Sequence, residues 1–376
     1  MPLGNPINVD LGSSTTSIGT STVTDVNADG IQDVVTTNPD ANTVSVQLGD
    51  EQGGLTTTAT IDVGITPTDV TVADFNGDGT QDILTANADS NTVTVALGDG
   101  QGGITGTVDI AVGTEPTDIL VTDFNGDGAQ DILIANATSN DVTIALGDGQ
   151  GNVTTTVSVP TGTEPTAVEV TDFNGDGIQD ILSANTTSND VTVALGDGQG
   201  GVATTTNISV GTSPTDVVVT DFNGDGTQDI LTANAGSNDV TVALGDGLGG
   251  VTATTSVPAG TTPTEVLTTD FNGDGTQDIV VANTGSNNVT VALNDGQGNI
   301  TATTPIPVGT DPSTVAVVDF DGDGVQDIVT TNTGSGTVTV ATGNGQGGVD
   351  ATVDLNLDTS TYGRKFAYHY EQGTLL

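Results

Sequence analysis

Along residues 66–114 the chain changes its hydrophobic rhythm four times. Residues 69–74 alternate polar and apolar positions and stop at an acidic stretch, while residues 83–87 form a shorter, nearly continuous apolar run. After Asp89-Ser90-Asn91, residues 92–97 alternate Thr with Val or Ala. A Gly-rich reversal at 98–103 then leads into a fourth extended run at 104–112. Alternation at period two predicts half-buried strands, and the continuous run predicts a further, shorter strand. Four strands therefore occupy fewer than fifty residues.

The whole pattern returns every 49 residues. The string Asp-Phe-Asn-Gly-Asp-Gly-x-Gln-Asp begins at Asp74, Asp123, Asp172, Asp221 and Asp270, with a variant at Asp319 and a looser copy at Asp25. The repeats divide as 17–65, 66–114, 115–163, 164–212, 213–261, 262–310 and 311–358, with a lead-in strand in 1–16 and a tail at 359–376. A lone four-stranded sheet of this size cannot bury its faces, so the copies must stack. The expected fold is all-β, a seven-bladed β-propeller of four-stranded antiparallel blades. A β-solenoid fits less well, because its coils are shorter. Residues 7–11 resemble a further fourth strand, which brings the count to one more than seven blades need.

Composition sharpens this picture through charge. Against 49 acidic side chains stand two basic ones, for a net charge of −47, and Arg364, Lys365 and His369 all lie in the tail. Nucleic acid and anionic membrane surfaces are excluded as natural partners, since both need cationic side chains. No apolar run is long enough to span a bilayer, so no membrane insertion is expected. With no Cys and one His, thiol chemistry and a Ser-His-Asp arrangement are absent, and the chain is expected not to be an enzyme. Residues 1–5 show neither the basic nor the apolar part of a secretion signal.

The acidic loop supplies the chemistry. Oxygen donors stand at its positions one, three, five and nine, and a backbone carbonyl at position seven is a fifth candidate. The sets are Asp25, Asn27, Asp29, Ile31, Asp33; Asp74, Asn76, Asp78, Thr80, Asp82; and Asp123, Asn125, Asp127, Ala129, Asp131. They continue as Asp172, Asn174, Asp176, Ile178, Asp180; Asp221, Asn223, Asp225, Thr227, Asp229; and Asp270, Asn272, Asp274, Thr276, Asp278. The last set is Asp319, Asp321, Asp323, Val325 and Asp327. Position seven varies freely, as a carbonyl ligand would allow. Hard oxygen donors suit Ca²⁺ better than Mg²⁺ or a softer metal, so about seven Ca²⁺ are expected, one per blade. The aromatic at position two (Phe75, Phe124, Phe173, Phe222, Phe271, Phe320; Val26 in the first copy) reads as core.

These loops, followed by Ala-Asn-x-x-Ser-Asn-x-Val-Thr-Val-Ala-Leu-Gly-Asp-Gly-Gln-Gly-Gly, resemble the FG-GAP/VCBS repeat family over residues 17–358. That family is similar to the calcium-binding blades of the integrin alpha-subunit propeller. The resemblance implies a Ca²⁺ ion in the loop joining the first two strands of each blade, and a secreted or cell-surface location. The first copy departs from the pattern at Val26 and Ala28.

The tail is built differently from the rest. Phe366, Tyr368 and Tyr370 fall on one face of an extended segment beside Arg364 and Lys365. An aromatic, cationic strand on an anionic molecule suits the edge of a second copy, and such a head-to-tail contact can propagate into a filament; the alternatives are a tail folded back over its own last blade or a disordered one. Thr clusters at 56–58, 154–156 and 204–206 fall on the outermost strand, where Thr suits an exposed strand and O-glycan attachment is the alternative; sequons begin at Asn136, Asn152, Asn185, Asn207, Asn288 and Asn299, as a Thr-rich chain generates by chance. The expected function is an extracellular, calcium-stabilised structural or adhesive propeller, with a filament subunit as one form of it. The alternative is a carbohydrate-binding propeller that takes glycans in pockets between blades.

Overall fold

The computed structural model describes residues 20–50 and 54–356. All its regular structure is β: 28 strands in seven four-stranded sheets, each sheet in sequence order. The protein is a seven-bladed β-propeller. Among the described residues no helix is long and apolar enough to cross a membrane. By compactness, the described residues of blades one to three, up to Pro160, fall in one unit and those of blades four to seven, Thr161–Leu355, in a second.

In blade two the strands are Pro67–Ala73, Asp82–Asn87, Thr92–Gly98 and Ile104–Ala111, paired antiparallel throughout. Their bounds lie within two residues of the sequence reading. The second strand, Asp-Ile-Leu-Thr-Ala-Asn, is buried at every position, which is why its apolar run is continuous. The fourth lies at the sheet edge and exposes consecutive residues, so it carries Thr. The Thr clusters at 56–58, 154–156 and 204–206 do lie on such edge strands.

Within each unit, hydrophobic cores form between sequential blades. Phe75 packs with Leu84 and Val95 of its own blade and with Ile119, Ile132 and Ile134 of blade three. Phe222 packs in the same way with Val266, Ile279 and Val281 of blade six, and Phe271 with Val315 and Ile328 of blade seven. Val26 fills the place with less volume against Val70 and Ile83. Full burial of an aromatic stabilises by roughly 1.5–3 kcal/mol, so these contacts are a principal bond between neighbouring blades.

Polar stitches fix the entry into each new blade. Asn91 sits in a left-handed conformation (φ +56°), which Asn tolerates, and its Oδ1 accepts the N–H of Glu115 at 2.9 Å. Asn42, Asn189, Asn238 and Asn287 hold Thr66, Ser213, Thr262 and Asp311 in the same way.

Blade seven is completed by its own fourth strand, Val349–Asn356. The seven sheets thus reach four strands without residues 7–11 or the tail, both of which lie outside the described residues. Two of the sequons lie inside the blades, in keeping with their chance origin. Asn136 and Asn185 have no exposure, because each ends a second strand and hydrogen-bonds inward, so neither accepts a glycan in the folded chain. Asn152, Asn207 and Asn299 are exposed, and Asn288 is half-buried.

Candidate metal centres

Each acidic loop starts where the first strand ends and closes at the first residue of the second. In blade two, Asp74 Oδ1 accepts the N–H of Asp78 and Oδ2 that of Gly79, at 3.0 and 2.9 Å. Asn76 Oδ1 also accepts the Asp78 N–H, and its Nδ2 donates to Asp78 Oδ2 at 2.9 Å. Asp78 Oδ1 takes the Thr80 N–H at 2.8 Å. The Thr80 hydroxyl and N–H, with the Asn76 amide, hold the Asp78 carboxyl below its ordinary range. Gly79 stands at φ +89°, a turn that a side chain would strain. Positions one, three and five therefore gather their oxygens at one exposed loop, and the position-seven N–H closes it.

Position nine does something further. Asp82 has no exposure; its Oδ2 accepts the N–H groups of Phe75 and Asn76 at 3.0 and 3.2 Å, and its Oδ1 that of Gly98 at 2.8 Å. One carboxylate thus clasps the loop to the end of the third strand. At Gly98 a Cβ would lie 2.1 Å from the Gln81 carbonyl oxygen, so a side chain there needs the strand end to shift. The clasp recurs at Asp33, Asp131, Asp180, Asp229, Asp278 and Asp327. In blade six Asn294 replaces the Gly, and its Nδ2 reaches the carbonyl of Phe222 in blade five at 2.7 Å. Burial pushes Asp82 above the ordinary carboxylate range, the three N–H groups pull it back, and nearby Asp78 raises it. Asp33, Asp131, Asp180, Asp229 and Asp278 are raised, again chiefly by burial.

Loop seven differs. Asp319, Asp321 and Asp327 bring carboxylate oxygens within 4.8 Å of one another, the one such group among the described residues. Desolvation, then the carboxylates of Asp323, Asp327 and Asp319, push Asp321 up. Three hard anionic donors in this space fit a divalent cation of the Ca²⁺ class.

Sequence reasoning missed a second set of acids. Asp69, Asp216 and Glu265 on the first strands accept the N–H of Ile119, Val266 and Val315 in the following blade, at 3.2, 2.9 and 2.7 Å. Their signal was the recurrent Pro-Thr-Asp/Glu at the start of the copies. The first strands of blades one to three also line a cavity of about 1020 Å³, polar through Asp69, Asp118, Gln81, Gln130, Thr22 and Thr24.

Comparison with known families places these loops. An FG-GAP-like repeat model matches at residues 25–85, 74–134, 123–183, 172–232, 221–281 and 270–330, and an FG-GAP repeat model at 312–351. The chain belongs to the FG-GAP repeat family. No curated protein sequence matches it. Among solved structures it is similar to an Agrocybe aegerita lectin that recognises non-reducing terminal N-acetylglucosamine, at 18% identity, over 90% of this chain and 94% of that one, with a TM-score of 0.53. It is also similar to a Staphylococcus aureus virginiamycin B lyase, at 15% identity, 85% and 94% coverage and a TM-score of 0.54. A third is the Pseudomonas aeruginosa periplasmic gluconolactonase, at 16% identity, 79% and 86% coverage and a TM-score of 0.55.

The expectation that the chain is not an enzyme is corrected by these last likenesses. Proteins named as a lactonase and a lyase share the architecture, so the fold gives no ground for excluding catalysis. Lacking Cys and having one His removes particular nucleophilic arrangements, whereas carboxylate chemistry needs neither. At these identities the likeness shows the fold and assigns no activity.

The clasp yields a prediction independent of metal. In Asp229→Asn one N–H would face an amide NH₂ where Phe222, Asn223 and Gly245 now donate. With chelator present, stability should fall by about 1–3 kcal/mol, read as a lower urea midpoint at unchanged slope. An unchanged midpoint would mean that position nine serves a metal alone.

Proposed function

We propose that this FG-GAP repeat protein is an extracellular, calcium-stabilised propeller with a structural or adhesive role. The observation that carries the reading is the oxygen-only loop repeated seven times, whose carboxylates crowd together in loop seven. Positions one, three, five and nine, with the position-seven carbonyl, would hold the ion, and in loop seven the carboxylates of positions one, three and nine lie together. Bound Ca²⁺ would supply the positive charge these loops lack. Because position nine also clasps the third strand, an ion that orders the loop would stiffen the blade beneath it. Sites of modest charge bind Ca²⁺ at the millimolar levels found outside cells, which supports an extracellular setting. A melt in calcium against one in chelator tests this. Each site filled at a hundredfold excess over its dissociation constant adds about 2.7 kcal/mol, so the melting temperature should rise clearly with calcium. Equal midpoints would end the proposal.

Self-association through a terminal strand is part of the same reading. The seven sheets reach four strands each without residues 7–11 or 359–376, so pairing of either segment with a second copy would take no strand from a blade. Arg364, Lys365, Phe366, Tyr368 and Tyr370 offer cationic and aromatic contacts to an anionic neighbour. Removing residues 359–376 should abolish higher-order species in light scattering and electron microscopy; assemblies that persist would refute this route.

The cavity favours a second reading, binding of a neutral glycan. Carboxylates, amides and hydroxyls line it, and no Lys, Arg or His occurs before residue 364, so it suits a neutral polyol rather than an anion. A screen of immobilised neutral glycans separates the readings: saturable binding supports the glycan site, and none across the screen removes it.

A further inference from the structure

Five of the six Asn-Gly pairs in the chain stand at positions three and four of the acidic loops: Asn76-Gly77, Asn125-Gly126, Asn174-Gly175, Asn223-Gly224 and Asn272-Gly273. Asn followed by Gly is open to an internal reaction, because Gly has no Cβ to crowd the approach of its own backbone nitrogen to the Asn side chain. The fold leaves that nitrogen free. Each of these Gly residues is exposed, at a φ between +70° and +76°. Its N–H gives no hydrogen bond among the described residues. The N–H groups on either side are engaged: in loop two that of Asn76 goes to Asp82, and that of Asp78 to Asp74 and Asn76.

The atom to be attacked is polarised. Oδ1 of Asn76 accepts the N–H of Asp78 at 2.9 Å, and the four other loops repeat this at 2.8 or 2.9 Å. A donor on that oxygen draws electron density from Cγ and stabilises the oxyanion that forms when Cγ is attacked. Nucleophile and electrophile sit on adjacent residues, so the step is intramolecular. Solvent reaches it, because the loop is at the surface.

We propose that the position-three Asn of loops two to six is a self-modification site, which converts with time to Asp and isoaspartate. The backbone nitrogen of Gly77 bonds to Cγ of Asn76 as its proton passes to solvent. The Cγ–Nδ2 bond then breaks, and ammonia leaves with a proton returned from solvent. Water opens the resulting cyclic imide, so the sum is amide plus water to carboxylic acid plus ammonia. Opening at one carbonyl gives Asp; opening at the other routes the main chain through Cγ as isoaspartate. The neighbours register either product. Nδ2 of Asn76 donates to Asp78 Oδ2 at 2.9 Å, a bond that ends with the amide. The N–H of Asn76 is held by the Asp82 clasp at 3.2 Å, so a lengthened main chain begins beside that clasp. Each event adds one negative charge to a chain at −47. Loop seven carries the Asp form in its sequence, since Asp321 stands at position three and has no amide to give Asp323. Loop one offers the opposite comparison: Asn27 keeps both amide bonds to Asp29, but Ala28 follows it, and the Cβ of Ala28 hinders the approach.

The test ages the full chain in heavy-oxygen water at mildly alkaline pH, with chelator present so that no ion occupies the loops. Peptides are then mapped by mass spectrometry, with isoaspartate read by enzymatic methyl labelling. Asn76, Asn125, Asn174, Asn223 and Asn272 should each exchange amide for acid with uptake of heavy oxygen and yield isoaspartate, several-fold faster than Asn27. On isoelectric focusing the intact protein should spread into a ladder of increasingly acidic forms. Gly77→Ala should slow the reaction at Asn76 several-fold and leave the four other loops unchanged, which also reports that the variant is folded. Ala28, at φ +57° in loop one, shows that the turn accepts Ala. If the variant fails to fold, the comparison with Asn27 in the native chain decides alone. Asn27 keeping pace with the five pairs, or acid forming without isoaspartate, would overturn the proposal. So would loops that keep their amides while the same chain reacts in denaturant.

Discussion

The blade is organised around one buried carboxylate. The position-nine Asp opens the second strand, takes two N–H groups from the loop before it and a third from the end of the third strand. A buried anion of this kind is tolerable only when hydrogen bonds replace its lost hydration. Three charge-assisted bonds do so here, and in return they fix the loop, the strand end and the Phe beside them. The Phe N–H is one of those three donors, so the same Asp that shapes the acidic loop also sets the side chain that cements one blade to the next. Loop chemistry and interblade packing share a single anchor.

The second constraint is the lack of cations. With no basic side chain before Arg364, no carboxylate of the blades can form a salt bridge to a Lys or Arg within the blades themselves. Its partners must be backbone N–H groups, amides, hydroxyls, or ions from solution. The structure uses the first three thoroughly: Asp82 on the clasp, Asp69 and Glu265 on the next blade, Asp78 on its own loop. What those groups leave unsatisfied defines where an external ion is wanted.

The fold was highly legible because each copy states it again. A 49-residue period, strand rhythms that change with burial, and turn residues at fixed offsets predicted the blades to within two residues in the copy worked through. Phe75 read as core and is core. The loop was legible as a donor set but not as a geometry. Asp82 and Asp74 are the same residue type, and nothing local distinguishes a solvent-facing donor from a clasp whose third partner comes sixteen residues later. Asp321 stood out in sequence only as a variant letter; its meaning needed the amide bonds it cannot make. Asn136 matched a modification motif while sitting wholly inside the blade, since a three-residue pattern carries no burial. The exclusion of catalysis went too far for a similar reason: missing residue types rule out particular reactions, not a whole class of function.

The fourth strands carry a consequence for how these molecules behave in a crowd. Each presents a sheet edge rich in Thr, with exposed residues in succession and no Lys to guard it. Such edges ordinarily invite pairing with another chain. Here the safeguard is collective, because blades of one sign repel one another edge to edge. That barrier reaches only about 8 Å at physiological ionic strength and shortens as salt rises. Ionic strength is thus a colloidal control on this protein: dilute salt holds the copies apart, and concentrated salt brings their bare edges within reach.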